Sequence, residues 1–314
     1  MPDLISIIVP TLNAEAHIKT CIESLLALDY PEDCLEIAVI DNGSSDATRR
    51  IVEGYPVTLF FEPRRGAAAA RNRGIQGTRG NIIAFADADC VVDPGWARAI
   101  DAAFGDPGIG ALMGKTGGID RNYWAALEQR NWIDFWFRSG AGGYELRRYG
   151  LDTRNAAVRR SVLETCGLLE AGLDYCEDLE LSIRLHQGQC RIALCQEMYA
   201  RHRNRTDLGQ ILDLKERHGR AYYQVVSRQP SGFDSPHLPV EVRYLLGIDN
   251  KSIAGWRIVV ARHAMTIFRA TISLALRGLA RVESSPGTLA LKLYKTASTA
   301  CWEIAILREK QAER

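Results

Sequence analysis

Four short apolar runs, each followed by a loop and a helical pattern, constrain the fold of this chain most strongly. They occupy residues 5–9, 35–40, 57–61 and 82–86. Runs that are apolar at nearly every position are typical of strands buried on both faces of a parallel sheet. Because parallel strands need long crossover connections, the alternation predicts a mainly parallel sheet with helices on both faces. Ligands of such sheets bind at the carboxyl ends of the strands.

The composition is that of an ordinary globular protein. The 314 residues are 46% hydrophobic, which allows a substantial core, and the formal net charge is +1. Since no strong positive field results, nucleic acid is not an expected partner. The eight cysteines form no CxxC pair, which favours reduced thiols in a cytoplasmic protein. Asp3 stands where a signal peptide would carry positive charge, so a cytoplasmic location is expected.

Two aspartates separated by one residue follow the fourth apolar run. In an extended segment, Asp87 and Asp89 would point to the same side, where their oxygens can share a hard divalent cation. The same residues are also common turn formers after a strand. Residues 87–91 further match the DxDx[TV] pattern of haloacid-dehalogenase-like phosphatases, in which the first aspartate is the nucleophile. That reading would place the nucleophile on the fourth strand instead of near the start of the domain.

Several common nucleotide-binding and hydrolase motifs are missing. Residues 114–116 end like a phosphate-binding loop, but Ile109 stands where that motif needs glycine. No GxGxxG follows the first apolar run, and neither GxSxG nor HExxH occurs. The sequence therefore disfavours P-loop enzymes, dinucleotide-dependent dehydrogenases and the commonest hydrolases.

Local patterns around the remaining charged residues leave alternatives open. Ser45 is predicted to cap a helix that runs through Val52. Residues 177 and 178 are acids at the start of a predicted helix, where they complement its dipole. A strand is predicted at 190–195, and residues 199–205 then bring three arginines next to His202. This basic cluster is interpreted either as a phosphate clamp or as a solvated loop.

The C-terminal part of the chain is predicted to be helical. No acid occurs between Asp249 and Glu283, and four arginines fall on one side of a helix: Arg262, Arg269, Arg277 and Arg281. No uncharged run approaches the roughly 18 residues that span a bilayer. The segment is therefore expected either to lie on an anionic membrane surface or to pack on the protein with its arginines in water.

Five motifs, taken in order, resemble those of family-2 glycosyltransferases with the GT-A fold. They lie at residues 6–13 (SIIVPTLN), 38–46 (AVIDNGSSD), 66–74 (GAAAARNRG), 86–89 (ADAD) and 177–178 (ED). The resemblance covers residues 4–205 and implies an α/β, GT-A-like fold. Together with the helical pattern of the C-terminal part, it predicts a glycosyltransferase domain at 1–230, with a nucleotide-binding half at 1–115 and an acceptor half at 116–230, followed by a helical C-terminal extension at 231–314.

The resemblance also implies a role for each motif residue. The base and ribose of a UDP- or GDP-sugar would be held by residues of the first two motifs: Pro10, Thr11, Leu12, Asn13 and Asp41. The diphosphate would face Arg65 and Arg71. Mn²⁺ or Mg²⁺ would be held by Asp89 and His202, with Asp87 near the ribose and the metal. Asp178 would be the base that deprotonates the acceptor hydroxyl.

Two departures from the family pattern limit the analogy. Leu12 stands where many relatives carry an aromatic residue against the base, and no QxxRW motif follows Asp178. Without that motif of processive synthases, one sugar is expected to be added per binding event. The sequence thus predicts a metal-dependent inverting glycosyltransferase of polysaccharide or glycoconjugate biosynthesis, cytoplasmic or peripheral at the inner face of the membrane. Its acceptor would be a sugar, a lipid-linked group or another hydroxyl, and a phosphatase or a non-catalytic nucleotide-sugar-binding scaffold is the alternative.

Overall fold

The computed structural model describes residues 2–140, 143–146, 150–228, 255–282 and 286–312. The chain divides into two compact units. The first unit comprises Met1–Ile119 and Trp136–Arg203, and the second comprises Asp120–Phe135 and Asn204–Arg314. The domain boundary predicted at residue 230 lies outside the described residues and stays a prediction.

The first unit is built on one eight-stranded sheet. The strands in chain order are β1 (Ile5–Thr11), β2 (Leu35–Asp41), β3 (Thr58–Phe61), β4 (Ile82–Ala86), β5 (Cys90–Val92), β6 (Ile109–Gly118), β7 (Phe137–Gly140), β8 (Gly143–Leu146), β9 (Asn155–Arg159) and β10 (Arg191–His202). Their order across the sheet is β3-β2-β1-β4-β9-β6-β10-β5, while β7 and β8 pair separately. Four of the seven neighbouring pairs in the large sheet are parallel, which confirms a mainly parallel sheet.

Helices cover both faces of this sheet. They are α1 (Ile18–Leu26), α2 (Thr48–Val52), α3 (Ala67–Gly77), α4 (Trp96–Phe104), α6 (Arg160–Cys166) and α7 (Glu177–Gln187); α5 (Tyr123–Trp136) lies between α4 and α6 in the chain. The apolar side chains of α1, α2 and α4 pack with Ile7 and Val9 of β1. Those of α3, α6 and α7 pack with Ile8, which points to the opposite face. The alternation along β1 thus builds two apolar layers.

The first strand is longer than predicted because proline is tolerated near its end. β1 pairs with β2 as far as Thr11, but it pairs with β4 only as far as Ile8. Pro10 therefore lies where one edge of the strand is open, and a proline is acceptable at such an edge. The extension carries Thr11 to the carboxyl edge of the sheet.

Two local predictions were wrong. Ser45 does not cap α2: its N–H donates to Asn13 Oδ1 at 2.8 Å, and Asp46 Oδ1 accepts the N–H of Thr48 at 3.0 Å. The strand predicted at 190–195 continues to His202, so the first half of the basic cluster is strand and not loop. A register shift between Cys195 and Tyr199 interrupts the alternation of side chains along β10, although the strand stays paired with β6 on both sides. Because the alternation is broken, the sequence pattern does not reveal that the strand continues.

The second unit is helical, as expected for the C-terminal extension. It contains α8 (Leu208–Ser227), α9 (Gly255–Val282) and α10 (Thr288–Ala312). Its core joins Leu127 of α5 to Ile211 of α8, Leu276 of α9 and Tyr294 of α10. Among the residues that the structure describes, no helix is long and apolar enough to cross a membrane.

A buried carboxylate lies between three helices of this unit. Glu216 of α8 accepts from Arg269 Nη1 at 2.8 Å and from Arg220 Nη2 at 3.3 Å, and Arg308 of α10 also contacts it. Arg269 is paired further with Asp213 at 3.2 Å. Arg269, one of the four arginines expected on a solvent face, therefore faces acids of α8. The side chain of Arg262 is not among those that the structure describes.

Candidate active site

The loops after β1 and β2 are tied together at the carboxyl edge of the sheet. Thr11 and Asp41 are paired in register and are both buried. Asp41 Oδ1 accepts the N–H of Ser44 at 3.0 Å, and Ser44 Oγ accepts the N–H of Asn13 at 3.0 Å. Asn13 adopts a positive φ of 51°, a conformation that asparagine tolerates better than most residues. The two loops therefore form one preorganised rim.

Two further side chains border this rim. Arg65 donates from Nη1 to the carbonyl oxygen of Asn42 at 3.0 Å, and its guanidinium carbon would lie 3.5 Å from a Cβ added to Gly43. Phe61, the last residue of β3, is in register with Asp41 and is 50% exposed. Residues in register on neighbouring parallel strands point to the same face, so Phe61 is a flat apolar neighbour of Asp41. The sequence reasoning missed it, although it ends the third apolar run.

Arg71 connects two of the sequence motifs. It lies on α3, whose alanines pack against the sheet, and it is buried with 3% exposure. Its Nη1 donates to Glu177 Oε1 at 2.6 Å and its Nη2 donates to Asp87 Oδ1 at 2.7 Å. Both terminal nitrogens are thus engaged by carboxylates, and the expected contact of Arg71 with a diphosphate stays a prediction. Arg71 thereby orients an acid of the fourth motif and an acid of the fifth.

The aspartate pair lies in a turn and not in an extended segment, so the predicted alternation was wrong. The N–H of Cys90 donates to the carbonyl oxygen of Asp87 at 2.9 Å, which closes the turn between β4 and β5. The antiparallel pairing of β5 with β10 places Cys90 opposite His202. As a result, His202 Nε2 lies 3.5 Å from Asp89 Oδ2. Strand pairing, which the local sequence does not reveal, brings these two residues together.

The surroundings of Asp89 fit a divalent cation. Its Oδ1 is buried and accepts no hydrogen bond from the described residues. A buried carboxylate oxygen without a partner is costly, and a cation beside an imidazole would satisfy it. Within the part of the chain that is described, no three His, Cys, Asp or Glu side chains converge closely enough to hold a metal ion. The site thus fits an ion whose remaining ligands come from water and from a bound molecule.

Asp178 lies in the first turn of α7, next to the Arg71 contact of Glu177. Burial, together with the negative charges of Glu177 and Asp152, raises the pKa of Asp178 to about 8, although the N–H of Leu179 and the charge of Arg71 oppose this. A carboxyl group whose pKa lies near neutrality is suited to accept a proton. The residue expected to be a base is therefore in an environment that makes it basic.

An ion pair that was not predicted from the sequence lies near the Asp87–Asp89 turn and near the acids at the start of α7. Arg154 donates from Nε to Asp152 Oδ1 at 2.9 Å and from Nη2 to Asp152 Oδ2 at 2.5 Å. Since Ala86 is paired with Asn155, the start of β9 brings Arg154 next to the end of β4. Burial raises the pKa of Asp87 while the charge of Arg154 opposes this, and Asp152 helps to raise the pKa of Asp178. The only sequence signal is an Asp-x-Arg triplet before an apolar run.

Comparison with known proteins places this chain in a family. Residues 6–167, just over half of the chain, match the family model described as Glycosyl transferase family 2. Glycosyltransferase AglE of Haloferax volcanii is 26% identical over 227 residues, which cover 70% of this chain and 73% of that protein. Beta-monoglucosyldiacylglycerol synthase of Synechocystis sp. is 30% identical over 207 residues, which cover 60% of this chain but 42% of that protein.

A solved structure supports the same fold. The mannosyltransferase PcManGT from Pyrobaculum calidifontis, in complex with GDP-Man and Mn²⁺, superposes with a TM-score of 0.61 at 22% identity. The match covers 99% of this chain and 88% of that one. The fold expected from the sequence motifs is thereby confirmed as GT-A-like. Because the family model spans more than half of the chain, the protein belongs to glycosyl transferase family 2 and is a glycosyltransferase.

Proposed function

We propose that this protein is a metal-dependent, inverting glycosyltransferase that moves one sugar from a UDP- or GDP-sugar to an acceptor hydroxyl. The observation that carries the proposal is the unpartnered buried oxygen of Asp89 beside His202, in the same unit as the basic carboxyl group of Asp178. Asp89 and His202 can bind a cation that the donor diphosphate also binds, and Asp178 can accept the proton of the acceptor hydroxyl.

The rim of the first two loops would hold the nucleoside. Thr11 has a buried Oγ1 that finds no hydrogen-bond partner among the described residues, and Asp41 can accept a bond from a base N–H. Pro10 and Asn13 would shape the ribose subsite, with Leu12 exposed beside them. We assign Phe61 an additional role, since its exposed ring next to Asp41 can cover a base that Leu12 covers incompletely.

The diphosphate would lie between Arg65 and the aspartate turn. Arg65 is exposed and anchored to the loop after β2, so its guanidinium can donate to phosphate oxygens. Arg71 would act through Asp87 and Glu177 instead of touching the diphosphate, because carboxylates engage both of its terminal nitrogens. Asp89 and His202 would hold Mn²⁺ or Mg²⁺, with Asp87 near the ribose and the metal. The ion, when bound, neutralises charge on the leaving nucleoside diphosphate.

Asp178 would act as the base. Its carboxylate takes the proton of the acceptor hydroxyl while the acceptor oxygen forms a bond to the anomeric carbon. The bond from that carbon to the diphosphate oxygen breaks on the opposite side, so the configuration inverts. Glu177, held by Arg71 at 2.6 Å, and Asp152, held by Arg154, keep negative charge near Asp178 and favour proton uptake.

Neither alternative gains support from the site. A phosphatase would need Asp87 free to attack phosphorus, but Asp87 Oδ1 accepts a 2.7 Å bond from buried Arg71. A non-catalytic scaffold would not need a buried carboxyl group with a pKa near 8. The catalytic reading accounts for both observations.

The proposal extends to the acceptor and to the cellular location. A relative is named as a beta-monoglucosyldiacylglycerol synthase, which supports a lipid-linked acceptor in addition to a sugar acceptor. We place the protein in polysaccharide or glycoconjugate biosynthesis, in the cytoplasm and in peripheral contact with an anionic membrane at its inner face. Nucleic acid is not part of the proposal, because the net charge is only +1.

A donor and acceptor screen tests the function. The purified protein is incubated with UDP- and GDP-sugars, with and without Mn²⁺, in the presence of sugar and lipid acceptors. Products are detected by mass spectrometry, and the anomeric configuration is determined by NMR. Metal-dependent transfer with inversion is the expected result. Binding without any sugar release would favour the scaffold, and hydrolysis of phosphomonoesters with a phosphoryl group on Asp87 would favour the phosphatase.

A further inference from the structure

The most exposed large apolar side chains of the described residues lie close together in the chain. Ile267, Leu274 and Val282 of α9 and Leu289 of α10 are 69%, 74%, 80% and 58% exposed. The other exposed large apolar side chains among the described residues are at most 50% exposed. At 100° per residue, the three on α9 fall within an arc of about 80°. They form one strip, which we call the outer face of α9.

The opposite face of α9 packs inside the second unit. Ile272 and Leu276 are buried in its core, and Arg269 contacts Glu216. The helix therefore has an inner apolar face that the unit covers and an outer apolar face that its own packing does not require. A helix that only packs on a globular unit would carry polar residues on its outer face.

Positive charge borders the outer face. Arg277 and Arg281 are exposed and lie next to the apolar strip on the helix surface. The other exposed positions of α9 whose side chains the structure describes hold small or uncharged residues: Thr266, Ala270, Thr271, Ala275 and Gly278. No acidic residue occurs anywhere from 250 to 282. The face thus combines apolar side chains with cationic ones.

We propose that the outer face of α9 docks on the surface of an anionic lipid bilayer, with the helix lying in the plane of the headgroups. This inference rests on the proposed function, whose general membrane contact it assigns to a particular surface. Apolar side chains enter the boundary between headgroups and acyl chains, while arginines pair with anionic headgroups. A second copy of the chain is a poorer partner, because a twofold interface through this face brings the same arginines into one contact.

Vesicle flotation tests the docking face. The full chain is mixed with vesicles of phosphatidylcholine alone or with added phosphatidylglycerol, at low and high salt. The wild type is expected to float with the anionic vesicles and to be released by salt. The double variant Arg277→Glu/Arg281→Glu loses two charges that pair with headgroups, and it is expected to bind at least roughly 30-fold more weakly. Leu274→Glu loses an apolar side chain that would enter the bilayer, and a similar weakening is expected.

Matched variants on the first unit serve as controls. Leu26→Glu changes an apolar side chain that is 42% exposed on α1, and Arg50→Glu reverses an exposed charge on α2. Both are expected to float like the wild type. Far-UV circular dichroism and thermal unfolding establish that each variant is folded, so a loss of flotation reports on the surface.

Three results would overturn the proposal. These are a wild type that does not float with anionic vesicles, α9 variants that float as well as the controls, and a dimer that Leu274→Glu dissociates in a protein that binds no vesicles. Mn²⁺-dependent binding of UDP and GDP is measured in the same samples. Flotation without nucleotide binding would contradict the proposed function while supporting the docking face. Nucleotide binding without flotation would contradict the docking face while supporting the proposed function.

Discussion

The two units bury carboxylates in different ways. In the helical unit, Glu216 is surrounded by guanidinium groups from three arginines. In the sheet unit, the acids of the fourth and fifth motifs are more numerous than the arginines that are seen to contact them among the described residues. Arg71 serves Asp87 and Glu177 together, and Arg154 is engaged by Asp152. Asp89 Oδ1 accepts no hydrogen bond from the described residues.

We infer that this difference separates a structural carboxylate from ones with a role in the proposed reaction. A buried charge is tolerated when it is paired, and breaking such a pair destabilises the protein. The acids of the sheet unit are only partly compensated, and burial raises the pKa of Asp178 to about 8. Such an arrangement reduces stability in the absence of ligands, but it provides binding energy for a cation and an acceptor for a proton. The contrast predicts that substitutions in the two groups have different consequences.

The largest effect is expected for Asp89→Ala. Because this variant removes the oxygen that fits the metal, sugar transfer should fall by about 10³-fold or more. Initial rates with saturating Mn²⁺ and nucleotide-sugar provide the measurement. Glu216→Gln is the matched control, since it alters a buried acid outside the site, and its folded fraction should turn over normally. An equal loss of sugar-transfer rate in Asp89→Ala and Glu216→Gln would show that the two buried acids do not differ in function.

Asp178→Asn should reduce turnover by about 10²- to 10⁴-fold, the range expected when a positioned base is lost. The amide cannot take the acceptor proton but keeps nearly the same volume, so nucleotide affinity should stay within about twofold of the wild type. Single-turnover rates and calorimetric titration separate the two quantities. A variant that loses affinity and turnover in parallel would assign Asp178 to binding and not to proton transfer.

Glu216→Ala should affect stability more than chemistry. It leaves guanidinium groups without their acid at a largely buried position, and we expect a loss of about 2–3 kcal/mol in the free energy of unfolding. The value is below that of a fully buried pair because the arginine side chains are 24–47% exposed. Urea denaturation measures it. Unchanged unfolding free energy would show that the three arginines do not depend on Glu216.

The pH dependence of catalysis should follow Asp178. With a raised pKa of about 8, the carboxyl group is mostly protonated below that pH and cannot act as a base, so kcat/KM should rise as pH increases through about 8. Asp152→Asn removes a negative charge that raises this pKa, and the rise should move to lower pH. Rates across about pH 6–10, which spans about two units on either side of that pKa, record the profile. An identical profile in the variant would exclude the coupling to Asp152.

A smaller effect is expected from Phe61→Ala. Loss of a stacking ring should weaken nucleotide binding by about tenfold, equivalent to about 1.4 kcal/mol. Leu26→Ala, which truncates an exposed apolar side chain on α1, should leave affinity unchanged. Calorimetry with UDP and GDP measures both variants. Equal affinities would remove Phe61 from the base subsite and leave Leu12 as the apolar contact.

The sequence predicted the sheet better than it predicted the site. Buried runs such as Ile82–Ala86 were placed correctly because a strand covered on both faces is apolar at every position. The contacts of Arg71, the pairing of Asp152 with Arg154 and the exposure of Phe61 were not predicted. Each depends on residues that are distant in sequence and are brought together by strand order, which local patterns do not specify. Asp87 and Asp89 were singled out by their spacing after an apolar run, whereas the roles of the candidate residues came from a family resemblance.

Calorimetric titration of nucleoside diphosphates with and without Mn²⁺ tests the central claim most directly. The claim is that the under-compensated acids around Asp89 form a cation site shared with the donor. Wild type should bind UDP or GDP much more tightly when Mn²⁺ is present, and Asp89→Ala should lose this increment while Glu216→Gln keeps it. Nucleotide binding that does not respond to Mn²⁺ in the wild type, or a full Mn²⁺ increment in Asp89→Ala, would contradict the account.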